Sequence, residues 1–94
     1  MFVGEKRLFV KVYGSVQGVS FRYYAKKKAE GIGIKGYVMN CPDGTVEIEA
    51  EGNEELLRGF LEWCRQGPSS ARVDDVKFQW KVPINEFAGF SIKY

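Results

Sequence analysis

An element order of β-α-β-β-α-β with a short fifth strand predicts an α+β protein. The expected form is a ferredoxin-like split β-α-β sandwich, with an antiparallel sheet and both helices on one face. Three observations carry this prediction. Apolar and polar residues alternate at residues 8–13, 46–51 and 76–82. Apolar residues recur at helical spacing after Phe21 and again after Asn53. Turn-forming residues separate these runs at Gly31, Gly33, Pro42-Asp43-Gly44 and Gly67-Pro68. The 94 residues allow one domain, and 45% hydrophobic with 15% aromatic content supplies a core and argues against disorder.

In the first strand, Leu8, Val10 and Val12 alternate with Phe9, Lys11 and Tyr13, apolar enough on both faces to be central. The first helix, over residues 21–30, buries Phe21, Ala25 and Ala29 and turns Lys26, Lys27 and Lys28 largely to solvent, with Gly31 and Gly33 ending it. A second strand over residues 34–40 leads into the Pro42-Asp43-Gly44 turn. In the third, Val46, Ile48 and Ala50 face inward, and Glu47, Glu49 and Glu51 are expected to face solvent. Asn53 caps the second helix, with Glu54 and Glu55 in its first turn and a buried stripe of Leu56, Leu57, Phe60, Leu61 and Cys64. Val76, Phe78, Trp80 and Val82 mark the fourth strand, and Phe90, Ile92 and Tyr94 the short fifth.

Residues 14–22 read Gly-Ser-Val-Gln-Gly-Val-Ser-Phe-Arg, between the first strand and the first helix. Amides at a helix N-terminus have no internal partners, and the helix dipole favours an anion there. An arginine adds a planar fork of donors that matches phosphate oxygens. The loop therefore reads as an oxyanion cradle with Arg22 as its clamp. It also fits a ligand-free glycine-rich turn, and it matches neither the Walker pattern nor the dinucleotide fingerprint. Strands one and two run the same way in this topology, so Asn40 arrives at the same end of the sheet as the loop. Taken alone, Asn40 reads as a cap on the following turn.

Composition limits the chemistry. With no histidine, imidazole acid–base catalysis and the Ser-His and Cys-His mechanisms are excluded. Cys41 and Cys64 have no metal-ligand spacing; Cys64 fits a core helix face, and the sequence leaves a disulfide between the two open. A formal net charge of +2 makes no electrostatic case for nucleic acid. No apolar run approaches a membrane span, and the first residues lack the apolar core of a signal peptide, so a cytoplasmic protein is expected.

Two stretches resemble the acylphosphatase family. Val12-Tyr13-Gly14-Ser15-Val16-Gln17-Gly18-Val19-Ser20-Phe21-Arg22 is similar to that family's first motif. Gly36-Tyr37-Val38-Met39-Asn40, followed by Gly44-x-Val46 and Gly52, is similar to its second. Gly67-Pro68, Ala71-x-Val73 and Phe90-Ser91-Ile92 add to the likeness. The resemblance implies a single acylphosphatase-like domain over residues 7–94, with residues 1–6 as an N-terminal extension. Ser20 departs from the family, where glycine is frequent; a serine there could cap the helix.

The resemblance implies hydrolysis of the carboxyl–phosphate bond of small acyl phosphates to a carboxylate and inorganic phosphate, without metal or cofactor. Arg22 and the loop residues Ser15, Val16, Gln17, Gly18, Val19 and Ser20 would hold the phosphate, and Asn40 would orient the attacking water. Elementary chemistry agrees: an acyl phosphate has a good leaving group, so positioning and charge stabilisation suffice. Ser15 has no neighbouring base to make it a nucleophile. The expected partner is a small-molecule substrate of a monomer, with no nucleic acid and no membrane.

The rival reading is a non-catalytic phosphate or small-ligand binding module on the same fold. An RNA-recognition module is disfavoured because strand three is acidic and has no aromatics. The last strand is expected to run back toward the loop and bring Tyr94 near Arg22. There its terminal carboxylate either braces the guanidinium or lies frayed in solvent.

Overall fold

The structure, a computed structural model, describes residues 5–94. Its elements are β1 (Lys6–Ser15), α1 (Phe21–Ile32), β2 (Lys35–Asn40), β3 (Val46–Gly52), α2 (Glu54–Gln66), β4 (Arg72–Lys81) and β5 (Phe90–Lys93). Of the extension expected over residues 1–6, residues 1–4 lie outside the described residues, and Lys6 already pairs with Gly52. The sheet order is β4-β1-β3-β2-β5. Both helices pack on one face, in the predicted α+β ferredoxin-like arrangement.

The sheet is mixed rather than wholly antiparallel. β1–β3, β1–β4 and β2–β3 are antiparallel, whereas β5 lies parallel to β2. The reason is the route of the chain. Residues 82–89 carry it from β4 at one edge to β5 at the other, so β5 arrives in the direction of β2. β1 and β2 thus share a direction, and the loop after β1 and the end of β2 meet at one end of the sheet.

The core lies between sheet and helices. Leu8, Val10 and Val12 of β1 meet Ile48 and Val46 of β3, Val38 of β2, Phe21, Ala25 and Ala29 of α1, and Leu57, Phe60 and Cys64 of α2. Leu56 was expected in that stripe but is 39% exposed. It sits one residue before Leu57, about 100° round the helix from the buried line. Asn53 caps α2 as expected, its side chain accepting from the Glu55 amide. In α1, Gly31 lies inside the helix. Gly33 alone ends it, in the left-handed conformation with its N–H donating to Ala29 O and Glu30 O.

The glutamates of β3 require a correction. They alternate onto the helix-free face, but Glu49 and Glu51 are only 5% and 4% exposed. Neighbouring strands and the 82–89 segment cover them. Arg7 Nε donates to Glu49 Oε1 at 2.7 Å, and Lys81 Nζ donates to Glu49 Oε2 at 3.2 Å. Glu51 accepts from the Ile84 and Asn85 amides at 2.7 and 3.1 Å. Buried carboxylates need such partners, and here every one is supplied by a distant part of the chain.

Candidate active site

The β1–α1 loop begins at a strand irregularity. The β1–β4 register shifts between Tyr13 and Gly14. Gly14 has φ 136°, and a Cβ there would sit 2.2 Å from Arg72 O. Only glycine fits so close an approach to the neighbouring backbone. Beyond it the chain leaves the sheet. Val16 plugs into the core, and Gly18 and Ser20 take left-handed conformations at φ 73° and 64°. Ser20 precedes α1 but makes no capping hydrogen bond through its side chain, contrary to the role expected of its hydroxyl. Its positive φ accounts for glycine being the easier residue there.

Three contacts hold the loop. Gln17 Nε2 donates to Cys41 O at 2.8 Å and to Thr45 O at 2.9 Å, tying the loop to the β2–β3 hairpin. Ser70 Oγ donates to Val19 O at 2.7 Å, tying it to the segment after α2. The hairpin is itself closed by Cys41 N to Thr45 O and Gly44 N to Cys41 O. Asp43 accepts from the Thr45 hydroxyl and amide, which hold its carboxyl down at about 2. Asn40 is thereby fixed on the loop side of the hairpin.

Among the described residues, the amides from Val16 to Tyr23 donate no hydrogen bond to another protein group. Of this stretch, Val16, Gly18, Ser20, Phe21, Arg22 and Tyr23 line a pocket of about 290 Å³, together with Asn40, Ile92 and Tyr94. Asn40 is among its lining residues, and Asn40 Oδ1 is buried and without a hydrogen-bond partner. No ion pair involving Arg22 is present among the described residues; its guanidinium carbon lies 5.0 Å from the centre of the Tyr94 ring. The pocket therefore offers unpartnered N–H groups, one unpaired cation and one unpartnered carbonyl. The first two suit a phosphate. The third does not, because a carbonyl oxygen needs a hydrogen donor, which an anionic oxygen is not.

The structure thus brings Arg22, Asn40, Val16, Gly18 and Ser20 together. Ser15 remains in β1, paired with Arg72, while the Gln17 and Val19 contacts described above brace the loop. Tyr94 arrives as the topology predicts, but through its ring; no ion pair joins the terminal carboxylate to Arg22. Sequence reasoning missed the bracing by Gln17 and Ser70 and the apolar lining. Only the lining carried a signal, in the alternation of Phe90, Ile92 and Tyr94. Cys41 and Cys64 are free thiols, and burial raises the pKa of the Cys64 thiol.

A larger groove of about 630 Å³ lies between the helices, lined in part by Tyr24, Lys27, Ile32 and Trp63. It contains neither Arg22 nor Asn40. The chemistry favours the smaller pocket. No group of three or more metal-binding side chains occurs among the described residues.

Comparison with known proteins bears on the family and the fold. The sequence model of the acylphosphatase family matches residues 8–92. An acylphosphatase of Thermotoga maritima is 46% identical over 89 residues, covering 95% of this chain and 98% of the relative. One of Anaeromyxobacter dehalogenans is 41% identical over 88 residues, covering 94% and 95%. The crystal structure of acylphosphatase from Bacillus subtilis superposes with a TM-score of 0.90 at 36% identity, covering 95% of this chain and 99% of that one.

Proposed function

The chain belongs to the acylphosphatase family, and from that premise we propose how its pocket hydrolyses the carboxyl–phosphate bond of a small acyl phosphate. The loop amides and the Arg22 fork hold the phosphoryl oxygens and offset the charge that develops on them. Asn40 Oδ1 accepts a hydrogen bond from a water and aligns it with phosphorus. The water oxygen forms a bond to phosphorus as the bond from phosphorus to the acyl oxygen breaks. The carboxylate departs with the electron pair, and the water's proton stays on the inorganic phosphate. No step needs a side-chain base.

One observation carries this reading: Asn40 lines the pocket beside the cradle of hydrogen-bond donors, and its Oδ1 is buried without a hydrogen-bond partner. A site built only to bind phosphate has no use for it. Leaving such an acceptor unsatisfied costs about 1–3 kcal/mol, so its placement argues for a donor that arrives with the reaction. Among the described residues no Asp, Glu, Cys or His side chain lines the pocket, so we assign charge stabilisation to Arg22 and the amides, without a metal.

We read residues 7–94 as the catalytic domain, acting as a monomer. Two free cysteines favour the cytoplasm. Among the described residues no helix is long and apolar enough to cross a membrane.

The test is phosphate release from acetyl phosphate in excess chelator. Turnover is expected to persist and to vary little between about pH 5 and pH 8, since no histidine titrates there. Asn40→Ala should lower turnover roughly 10²-fold while inhibition by inorganic phosphate stays near wild type. Phosphate affinity lost in step with turnover would make Asn40 part of the cradle instead.

A further inference from the structure

Ser70 stands outside the pocket yet reaches its loop. It lines the larger groove and not the pocket, and its Oγ donates to Val19 O at 2.7 Å across 51 positions of sequence. The Val19–Ser20 peptide is trans, so its C=O and N–H point in opposite directions. A carbonyl held toward Ser70 therefore turns the Ser20 N–H away from Ser70. Among the described residues that N–H donates to no protein group, and Ser20 lines the pocket. The far side of Ser20 is fixed, because Ser20 O accepts from the Tyr24 amide in the first turn of α1. The conformation carries strain, since Ser20 holds φ 64°. Turning this one peptide over would bring φ to about −120°, an ordinary value for serine. It would also put the Val19 carbonyl where the Ser20 N–H now lies, and a carbonyl repels a phosphate oxygen.

We propose that Ser70 is a positioning residue for the hydrolysis: its hydroxyl holds the Val19–Ser20 peptide in the strained orientation that presents the Ser20 amide to the phosphate. The inference rests on the hydrolytic reading above and adds to it a residue that touches no substrate. Backbone strain at a site persists only where the surroundings hold it. Among the described residues, the Ser70 hydroxyl is the one partner of Val19 O. Without that hydroxyl the serine at position 20 relaxes by turning the peptide over, and the cradle exchanges a donor for an acceptor. The competent orientation then makes up only a fraction of the molecules. KM and the inhibition constant for phosphate rise together by that fraction, while kcat holds.

The experiment compares wild type, Ser70→Ala, Ser70→Thr, Ser20→Gly and the pair Ser20→Gly with Ser70→Ala. Acetyl phosphate kinetics give kcat and KM, and inorganic phosphate gives an inhibition constant. Titration with inorganic phosphate, followed by proton–nitrogen correlation NMR, reads the backbone amide at position 20. We expect Ser70→Ala to raise KM and the inhibition constant together by about three- to tenfold, the worth of one exposed hydrogen bond, with kcat within about twofold of wild type. In wild type the amide proton should move downfield as it bonds to phosphate, and Ser70→Ala should need correspondingly more phosphate for that shift. Ser70→Thr keeps a hydroxyl and should restore both constants. In the Ser20→Gly background, Ser70→Ala should cost less than about twofold, because glycine holds a left-handed conformation without strain.

Unchanged KM and inhibition constant in Ser70→Ala, or a loss of full size in the glycine background, would overturn the proposal. So would a fall in kcat with phosphate affinity intact, or an amide at position 20 that ignores phosphate in wild type. If wild type releases no phosphate from acetyl phosphate, the hydrolytic reading fails, and the phosphate titrations of the same variants still decide whether Ser70 sets the cradle.

Discussion

Arg7 and Arg22 occupy opposite ends of the sheet and share much of their setting. Each is partly buried and each lies near an aromatic ring, Arg7 at 5.3 Å from Phe87 and Arg22 at 5.0 Å from Tyr94. They differ in their anions. Arg7 donates to Glu49 at 2.7 Å and lies 3.5 Å from Glu51, contacts that raise its pKa. Arg22 makes no ion pair among the described residues. At the Arg7 end, Lys81, the Ile84 and Asn85 amides and Tyr37 complete a network in which each buried charge is answered. At the Arg22 end, amides, guanidinium and Asn40 Oδ1 are left open. One fold thus satisfies polar groups at one end for stability and leaves them unsatisfied at the other for a ligand.

The sharpest break of this comparison is to remove each arginine. Arg22→Ala should abolish most turnover, a loss of about 3 kcal/mol or more in transition-state stabilisation. Its thermal unfolding should change by less than about 1 kcal/mol, because no buried anion is stranded. Arg22→Lys should stay largely inactive, since an ammonium supplies no fork. Full activity in either variant, read as phosphate release from acetyl phosphate, would remove Arg22 from the reaction.

Arg7→Ala should do the reverse. It leaves Glu49 and Glu51 buried with fewer partners and should cost roughly 2–3 kcal/mol of stability. That is at or below the low end for breaking a buried pair, because Lys81 and two amides remain in place. Turnover per folded molecule should hold at temperatures where the variant is folded. Denaturant unfolding and single-temperature kinetics separate the two effects. Lost turnover with unchanged stability would make the two ends alike after all.

The contrast also explains what was legible in the sequence. Alternation and helical spacing located β1, β3, β4 and both helices, because their burial is dictated by neighbours in the chain. The Arg22 loop and Asn40 were legible as motifs, and topology alone predicted their convergence. The burial of Glu49 and Glu51 was not, since Arg7, Lys81 and the 82–89 segment that cover them lie 30 or more positions away and have no periodicity. Nor was the direction of the Gln17 side chain, whose two acceptors lie 24 and 28 positions on in a nonrepeating loop. Leu56 shows a finer limit. Composition placed it in a stripe, and the helix phase set by Leu57, Phe60 and Cys64 excluded it.

A milder probe of the satisfied end is pH. The Tyr37 hydroxyl donates to Glu47 Oε2 at 3.1 Å, and burial followed by that bond pushes its pKa up to about 12. Below about pH 10, folded and unfolded chains both keep the proton, and its contribution to stability is complete. Between about 10 and 12 the unfolded chain loses the proton while the folded one retains it, so stability falls as pH rises. Tyr37→Phe should flatten this alkaline decline in unfolding free energy relative to wild type. Identical slopes would mean that the hydroxyl is not held by the network.

The smallest effect is expected at the open end, from Ser20→Gly. Ser20 holds φ 64° with no side-chain hydrogen bond to compensate. A left-handed conformation costs a non-glycine residue about 1 kcal/mol. Glycine removes that strain and adds flexibility to the unfolded chain, and the two effects oppose each other. Stability should therefore change by less than about 1 kcal/mol, with turnover within about twofold of wild type, because the loop contributes its backbone rather than this hydroxyl. Strongly reduced turnover in the glycine variant, together with unchanged unfolding, would show that the Ser20 hydroxyl touches the substrate. The open end would then bind through a side chain as well as through amides, Arg22 and Asn40.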